Sequence, residues 1–513
     1  MKNTFSLDLL DREDPEIVIG LVAPVGTEKQ IIIDQLRDSL KSFGYRSIPI
    51  KLSSALQAVK DKHGIDLVES PEDARISSYM DAGNRVREQT KRGEALALWA
   101  VNDIAFKRAE LEATAKKRAY VLDSLKHPDE VQLLRKIYGP GFYLVGVYSP
   151  RDKRFDFLHT SKGISEVSAN NLIERDHHED IPGGFGQDTR ETFHLADLFV
   201  SLTNPAEARN QVTRFIDLIF GYPFATPTLQ EYAMFHAFAA RLRSADLSRQ
   251  VGAVIVAKDE EIIGMGANDV PKAGGGLYWP GVNDHRDHDW GYDSNAKRRD
   301  QILMDIVQLV KKKSNVTTPS DDDLLLDIKE GLAQSMVLDI TEFGRPVHAE
   351  MEAILSCARS GVSPRGGTLY CTTFPCHNCA KHIVAAGIKK VVYVEPYPKS
   401  KAGELHRDSI QIDNETDRNK VSFVPFAGIG SRRFIDLFSM GVNSGYAITR
   451  KDKRTNNVIA WKRNAARIRI PLLVTSYLKR EIAAQKAIRD FYFKGEEREQ
   501  QRDVRQEKRG RRN

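Results

Sequence analysis

The stretch PVHAEMEAILSCARSGVSPRGGTLYCTTFPCHNCAKHIVAAGIKKVVYV, Pro346 to Val394, holds all four cysteines of a 513-residue chain, confined between Cys357 and Cys379. Two of them, Cys376 and Cys379, stand three apart behind Pro375 and downstream of His348-Ala349-Glu350. The pattern predicts a helix over the His-Ala-Glu run, a strand at GTLYCTT, a helix opening at Cys376 and a strand at KKVVYVEP. Cysteines at i and i+3 in a first helical turn point to one side, where one ion can bridge them. A helix N-terminus also favours thiolate over thiol. His348, Cys376 and Cys379 therefore read as ligands of Zn²⁺. Three protein ligands leave a fourth position open, the mark of a catalytic rather than a structural zinc. Such an ion brings the pKa of water near neutrality, and Glu350, two residues from His348, is placed to carry the proton without ligating.

Simpler readings of these residues fall short. A structural zinc knuckle needs a fourth ligand, yet Cys357 and Cys371 sit in a helix and a strand at positions that read as core. A redox C-x-x-C has no use for the upstream His-Ala-Glu. His382 reads as a helix-packing residue, and DHRDHDW, Asp284 to Trp290, as a polar loop covering a substrate rather than a second metal site.

The rest of the chain sets the context. Apolar residues make up 41% and charged residues 28%, as in an ordinary soluble protein, and the length calls for more than one core. No run of 18 apolar residues exists, and the opening MKNTFSLDLLDREDPE is too acidic for a signal peptide. The expectation is a cytoplasmic protein with reduced thiols and no membrane partner. Net charge is +6 but uneven: Arg450 to Ile470 and the closing RDVRQEKRGRRN are basic, while SDDDLLLD is acidic. The basic runs read either as solvated faces and a frayed tail or as surfaces for phosphate groups.

Short apolar strands alternate with polar helices over the first 220 or so residues: IVIGLVAPV, YRSIPIKL, RAYVLDSL, GFYLVGVYS and ADLFVSLT. That rhythm predicts a parallel sheet covered on both faces. The turn-rich GYPFATPTLQ, Gly221 to Gln230, marks a boundary. The expected organisation is one α/β domain at 1–222, a second at 230–450 interrupted by an insertion at about 271–343, and a basic, largely helical extension at 451–513. In the first domain, GLVAPVGTEKQ lies between a strand and a helix, where a phosphate-binding loop belongs. Against G-x-x-x-x-G-K-[ST], Gly26 is the second glycine, Gly20 is one place early, Thr27 and Glu28 replace the Lys-Ser pair, and Lys29 is two places late. Backbone N–H groups there would still cradle a phosphate. The displaced lysine argues against phosphoryl transfer and for a sensing role.

HAEMEAI, LYCTTFPCHNCAKHIVAAGIKKVVYV and the earlier SADLSRQVGAVIV and IIGMGAND resemble the deoxycytidylate deaminase branch of the cytidine deaminase superfamily. H-x-E…P-C-x-x-C is the signature of zinc nucleobase deaminases, and Phe374 before the Pro-Cys is typical of that branch. The resemblance implies a three-layer α/β/α domain, attack of water at C4 of cytosine, zinc on His348, Cys376 and Cys379, and Glu350 as proton shuttle. It places Asn268 near the nucleotide sugar, whereas Asp269 departs from the family's glycine, so the family's allosteric contacts are not carried over. Lys399 and Lys401, in EPYPKSKAGELHRDSI, would emerge at the rim and suit phosphates. The first domain is similar in layout to P-loop kinases, which implies a nucleotide with Mg²⁺ on Gly20, Gly26, Thr27, Lys29 and Asp123. The pairing of the two domains resembles bacterial anti-phage dCTP/dCMP deaminases. That implies deoxycytidine nucleotides as substrates, a homo-oligomer and a regulatory RNA partner. Two alternatives stand beside it: a deaminase of single-stranded nucleic acid, and a nucleic-acid-binding regulator with a structural zinc.

Overall fold

The computed structural model describes residues 15–111, 117–178, 186–314, 320–332, 335, 337, 342–397, 400–441, 445–471 and 474–492. The chain forms two compact units, Met1–Pro227 together with Ala427–Asn513, and Thr228–Phe426.

The first unit begins with β1 (Ile17–Val22), α1 (Gln30–Lys41), β2 (Arg46–Lys51), α2 (Ser53–His63), α3 (Glu72–Thr90), α4 (Ala95–Leu111) and β3 (Arg118–Asp123). It continues through α5 (Pro128–Tyr138), β4 (Phe142–Tyr148), α6 (Arg151–Asp156), α7 (Glu166–His178), α8 (Thr189–Phe193), β5 (Leu198–Ser201) and α9 (Pro205–Ile219). All six residues of β1 are buried, which requires cover on both faces of the sheet. β2 pairs with β3, β3 with β1, β1 with β4 and β4 with β5, all parallel. Helix boundaries follow local chemistry. Asn204 caps α9 ahead of Pro205, and His127 forms a capping box with Glu130 ahead of Pro128.

The second unit contains α10 (Leu229–Arg241), β6 (Gly252–Val256), β7 (Ile262–Ala267), α11 (Asp287–Trp290), α12 (Ser294–Ser314) and α13 (Asp321–Gly331). Then come α14 (Ala349–Ser360), β8 (Thr368–Thr373), α15 (His377–Ala385), β9 (Lys390–Glu395), α16 (Ala402–Leu405), β10 (Ile410–Ile412) and β11 (Val421–Pro425). Strand order is β10-β11-β9-β8-β6-β7, antiparallel about β6 and parallel elsewhere. Glycines let helices lie directly on this sheet. A Cβ on Gly252 would come 2.0 Å from Ala237 O of α10, and one on Gly266 would come 2.1 Å from Ala349 O of α14. Gly252 pairs with Ala267, and Ala253 with Gly266, so these two glycines face opposite ways. The unit is thus layered α/β/α, with α10 on one face and α14 on the other. The insertion carries α11, α12 and α13.

The division differs from the expected 1–222, 230–450 and 451–513. Beyond Phe426 the chain returns to the first unit as β12 (Gly428–Ile429), α17 (Phe434–Phe438) and α18 (Val474–Tyr492). β12 runs antiparallel to β5 and covers that edge of the sheet. α18 is held by a buried network. Arg108 bonds Glu16 at 2.8 Å and Glu481 at 2.6 Å, while Tyr477 donates to Glu16 at 2.7 Å and Tyr138 to Glu481 at 2.9 Å. The basic tail at 493–513 lies outside the described residues. No helix among the described residues is long and apolar enough to cross a membrane.

Candidate active site

Two helix N-termini in the second unit carry the cysteine-rich stretch. His348 is the N-cap of α14, in extended backbone conformation, and Glu350 lies in that helix's first turn. Cys376 is the N-cap of α15, and its Sγ accepts the N–H of Cys379 at 3.4 Å. His348 Nδ1 lies 3.3 Å from both sulfurs. Among the described residues, His348, Cys376 and Cys379 form one group whose donor atoms all fall within 4.8 Å of one another. Tetrahedral zinc with ordinary Zn–S and Zn–N bonds would put sulfur and nitrogen about 3.6 Å apart, so the three side chains fit that ion with small adjustment. Cys357 and Cys371 are fully buried in the core, as expected, and do not join the group.

The electrostatics split the two thiols: Cys376 is lowered, whereas its hydrogen bond to Cys379, together with burial, pushes the Cys379 thiol well above its ordinary range. The hydrogen bond from Cys379 brings the Cys376 thiol down to about 4, with further help from the neighbouring imidazole. Cys376 in turn raises His348 to about 9. Glu350 is 4% exposed, and burial pushes its carboxyl above the ordinary range.

The site opens on a pocket of about 380 Å³, within the range of small-molecule sites. Phe374 forms part of its wall and rests against Tyr393 and Phe423, with ring centroids 4.8 and 5.5 Å away. Thr373, also in the wall, donates to Glu395 at 3.1 Å, and Glu395 is paired with Arg241. Asn268 lines the pocket, but its amide is engaged: Oδ1 accepts the Val251 N–H at 2.6 Å and Nδ2 donates to Arg249 O at 2.8 Å. Its immediate role is to shape the 249–251 backbone. Lys401 is not among the lining residues; it is half exposed, 3.5 Å from Glu404. Lys399 lies outside the described residues.

Sequence reasoning missed Arg249, Tyr397, His377 and the insertion residues Asp293, Asn295 and Arg299, all of which line the pocket. Arg249 stood in the quoted SRQVGAVIV; Arg299 had no motif around it. Asp284 and Asp287 of the DHRDHDW loop are ion-paired with Arg286 and Arg345. Asp269, in place of the family's glycine, accepts the Ala245 N–H at 3.3 Å and Arg286 Nη1 at 3.4 Å.

In the first unit, Gly20 is a packing glycine inside β1, where a Cβ would meet Leu125 Cδ1 at 2.5 Å. Gly26 adopts φ +80°, Thr27 is buried, and Lys29 pairs with Asp123 at 2.5 Å. The loop's Val25 N–H is taken by Asp176 Oδ2 at 2.8 Å. Lys126 Nζ holds the other oxygen of that carboxylate at 3.1 Å.

A buried glutamate two residues from a His/Cys/Cys donor set, on an α/β/α scaffold, is the arrangement found in zinc nucleobase deaminases. Residues 227–395 match the family model described as the cytidine and deoxycytidylate deaminase zinc-binding region. The deoxycytidylate deaminase of Enterobacteria phage T2 is 44% identical over 85 residues, 16% of this chain and 45% of that protein. That of Mycobacterium phage D29 is 30% identical over 167 residues, 33% of this chain and 94% of that protein. The chain belongs to the cytidine and deoxycytidylate deaminase family. It spans about half the length, or less, of the first curated relatives it matches. The dCMP deaminase of cyanophage S-TIM5, solved with dCMP and dUMP, is 20% identical over 40% of this chain and all of that one, at a TM-score of 0.23.

Proposed function

We propose that the second unit catalyses hydrolytic deamination of deoxycytidine nucleotides, dCTP and/or dCMP, to the deoxyuridine nucleotides and ammonia. The observation that carries this reading is the buried Glu350 beside three convergent zinc-type donors, with Glu350, His348 and Cys376 in the wall of a pocket of about 380 Å³. When bound by His348, Cys376 and Cys379, Zn²⁺ supplies acidified water and Lewis acidity. Glu350 takes a proton from the attacking water and passes it to ring N3, then takes the second proton from the C4 hydroxyl of the adduct and passes it to the exocyclic amine. The C4–O bond forms, the C4–N bond breaks, and ammonia leaves. Burial of Glu350 suits it to hold a proton between those transfers. Phe374 offers an apolar wall to the base.

The first unit is a P-loop-type regulatory domain in this reading, supported by the loop between β1 and α1 and by Lys29 and Asp123 at its edge. The displaced lysine favours nucleotide sensing, with Mg²⁺, over phosphoryl transfer. Self-association, a regulatory RNA on the basic 450–470 segment and a role in depleting phage nucleotides complete the proposal. Their support is the domain pairing and the charge pattern.

Ammonia release from dCTP, dCMP, deoxycytidine and a single-stranded oligonucleotide tests the enzyme reading. Nucleotides should turn over in preference to the oligonucleotide, and the reverse order would replace the proposal with a polynucleotide deaminase. Glu350→Ala should lower kcat by about 10²–10⁴-fold while zinc stays bound.

A further inference from the structure

The loop between β1 and α1 is where the first unit would meet a phosphate, yet its own lysine is engaged elsewhere: Lys29 Nζ pairs with Asp123 at 2.5 Å. A different cation reaches the loop. Lys126, just beyond β3, donates through Nζ to Ala23 O at 2.9 Å and to Asp176 Oδ1 at 3.1 Å. Its backbone is fixed on both sides, since its N–H donates to Glu130 Oε2 at 2.7 Å and its carbonyl accepts the Asp188 N–H at 2.8 Å. The scaffold therefore delivers an ammonium group that the loop's own sequence lacks.

Asp176, on α7, holds the centre of this arrangement with its side chain 3% exposed. Its Oδ2 accepts the Val25 N–H at 2.8 Å, and its Oδ1 accepts from Lys126 and, at 3.4 Å, from Thr189 Oγ1. A backbone N–H, an ammonium and a hydroxyl converging on one anion form the kind of donor set that holds a phosphate. A purely structural tie between α7 and the loop accounts for the ion pair but not for Thr27. Its Oγ1, at the position where a P-loop has its lysine, is buried without a hydrogen-bond partner among the described residues. Buried hydroxyls are ordinarily satisfied, so the loop keeps a polar atom in reserve.

We infer that Lys126 and the Val25 N–H bind the phosphate of a nucleotide, and that Asp176 occupies their place as an internal anion until the phosphate displaces it. This rests on the P-loop reading of the first unit. A phosphate brings more charge and more acceptor oxygens than a carboxylate, so it can take over the same donors. The exchange lowers its apparent affinity by the fraction of molecules in which the carboxylate has left. It also frees α7 from the loop, so a bound nucleotide changes the anchoring of that helix.

The test uses the full-length, zinc-loaded chain with Asp176→Asn, Lys126→Gln, the charge-keeping Lys126→Arg, and Lys29→Gln. ATP and inorganic triphosphate are titrated calorimetrically, and thermal midpoints are read alongside. Asp176→Asn should tighten both ligands about ten-fold, and Lys126→Gln should weaken them about ten-fold or more. Lys126→Arg should recover part of that loss, and Lys29→Gln should change affinity by less than three-fold. Asp176→Asn and Lys126→Gln break the same ion pair, so a merely structural role predicts losses from both, and only competition predicts opposite signs. In the wild-type chain, saturating ATP should speed hydrogen exchange in α7 as its tie to the loop is released. Equal signs for the two substitutions, binding that ignores both, or exchange in α7 that slows or stays the same overturn the inference. Absence of binding to wild type and Asp176→Asn alike would instead sink the P-loop reading, and the inference with it.

Discussion

Gly266→Ala is the smallest change that should separate Glu350, the proposed catalytic carboxylate, from Cys376 and Cys379. The added Cβ would stand 2.1 Å from Ala349 O and 2.5 Å from Ala353 N, both backbone atoms of α14, and a distance under 3.0 Å is not sustained by real side chains. Opening 2.1 Å to 3.0 Å means that helix and strand part by about 0.9 Å at the turn bearing His348 and Glu350. β7 can yield a little, since it has one neighbour in the sheet, but its pairing with β6 passes part of the displacement to α14. Cys376 and Cys379 ride on α15 and do not follow, so their 3.3 Å approaches to His348 lengthen. A misplacement near 1 Å costs about 10²-fold in rate, and overpacking costs about 1–3 kcal/mol in stability. Ammonia release, zinc content and a denaturation curve should therefore show kcat/KM down about a hundred-fold, weaker zinc retention and a lower midpoint. Gly331→Ala, where an added Cβ meets nothing within 4 Å, should change none of them. A Gly266→Ala protein within two-fold of wild type and fully zinc-loaded would refute the claim that this contact sets the geometry of the site.

Removing the metal with a chelator should abolish turnover and lower the thermal midpoint, and Cys379→Ser should lose stoichiometric zinc; turnover by zinc-free protein would contradict the donor assignment. Asp176→Asn should tighten ATP binding by about ten-fold in a calorimetric titration, because the Val25 N–H and Lys126 are no longer held by an internal carboxylate; unchanged affinity would count against a phosphate site in the first unit. Asp269→Ala should leave buried Arg286 with Asp284 alone, raise KM and speed proteolytic cleavage within 271–343, with zinc content unchanged. Identical cleavage rates would show that the insertion is anchored elsewhere.

The parallel strands β1 to β5 and, in the second unit, β8 and β9 were legible because they are short runs rich in apolar residues between turn signals, whereas β10 and β11 were not foreseen; β1 is buried from end to end, as its composition demands. The return of the chain after Phe426 was not. β12 is two residues long and pairs across more than two hundred positions, and no local pattern encodes such a contact. The buried Arg108 network has the same character, since Glu16 and Glu481 read as surface charges until α4 and α18 are brought together.

In the site, the split between legible and illegible residues follows chemistry. Zinc imposes ligand type and spacing, so His348, Cys376 and Cys379 stood out in one stretch, and the fold brings their donor atoms within 4.8 Å of one another. Phosphate imposes only charge. Any lysine or arginine near the rim qualifies, and the sequence offered Lys399 and Lys401 while the fold put Arg249 and Arg299 in the wall. Asn268 lies between these cases. Its family position is recognisable, yet the hydrogen bonds at 2.6 and 2.8 Å turn it toward the backbone that presents Arg249. Asp269 next to it ties the insertion to the catalytic core through Arg286. Adjacent residues at the end of one strand therefore hold the 249–251 backbone on one side and the insertion on the other, so the departure from glycine at 269 accompanies the insertion that it secures.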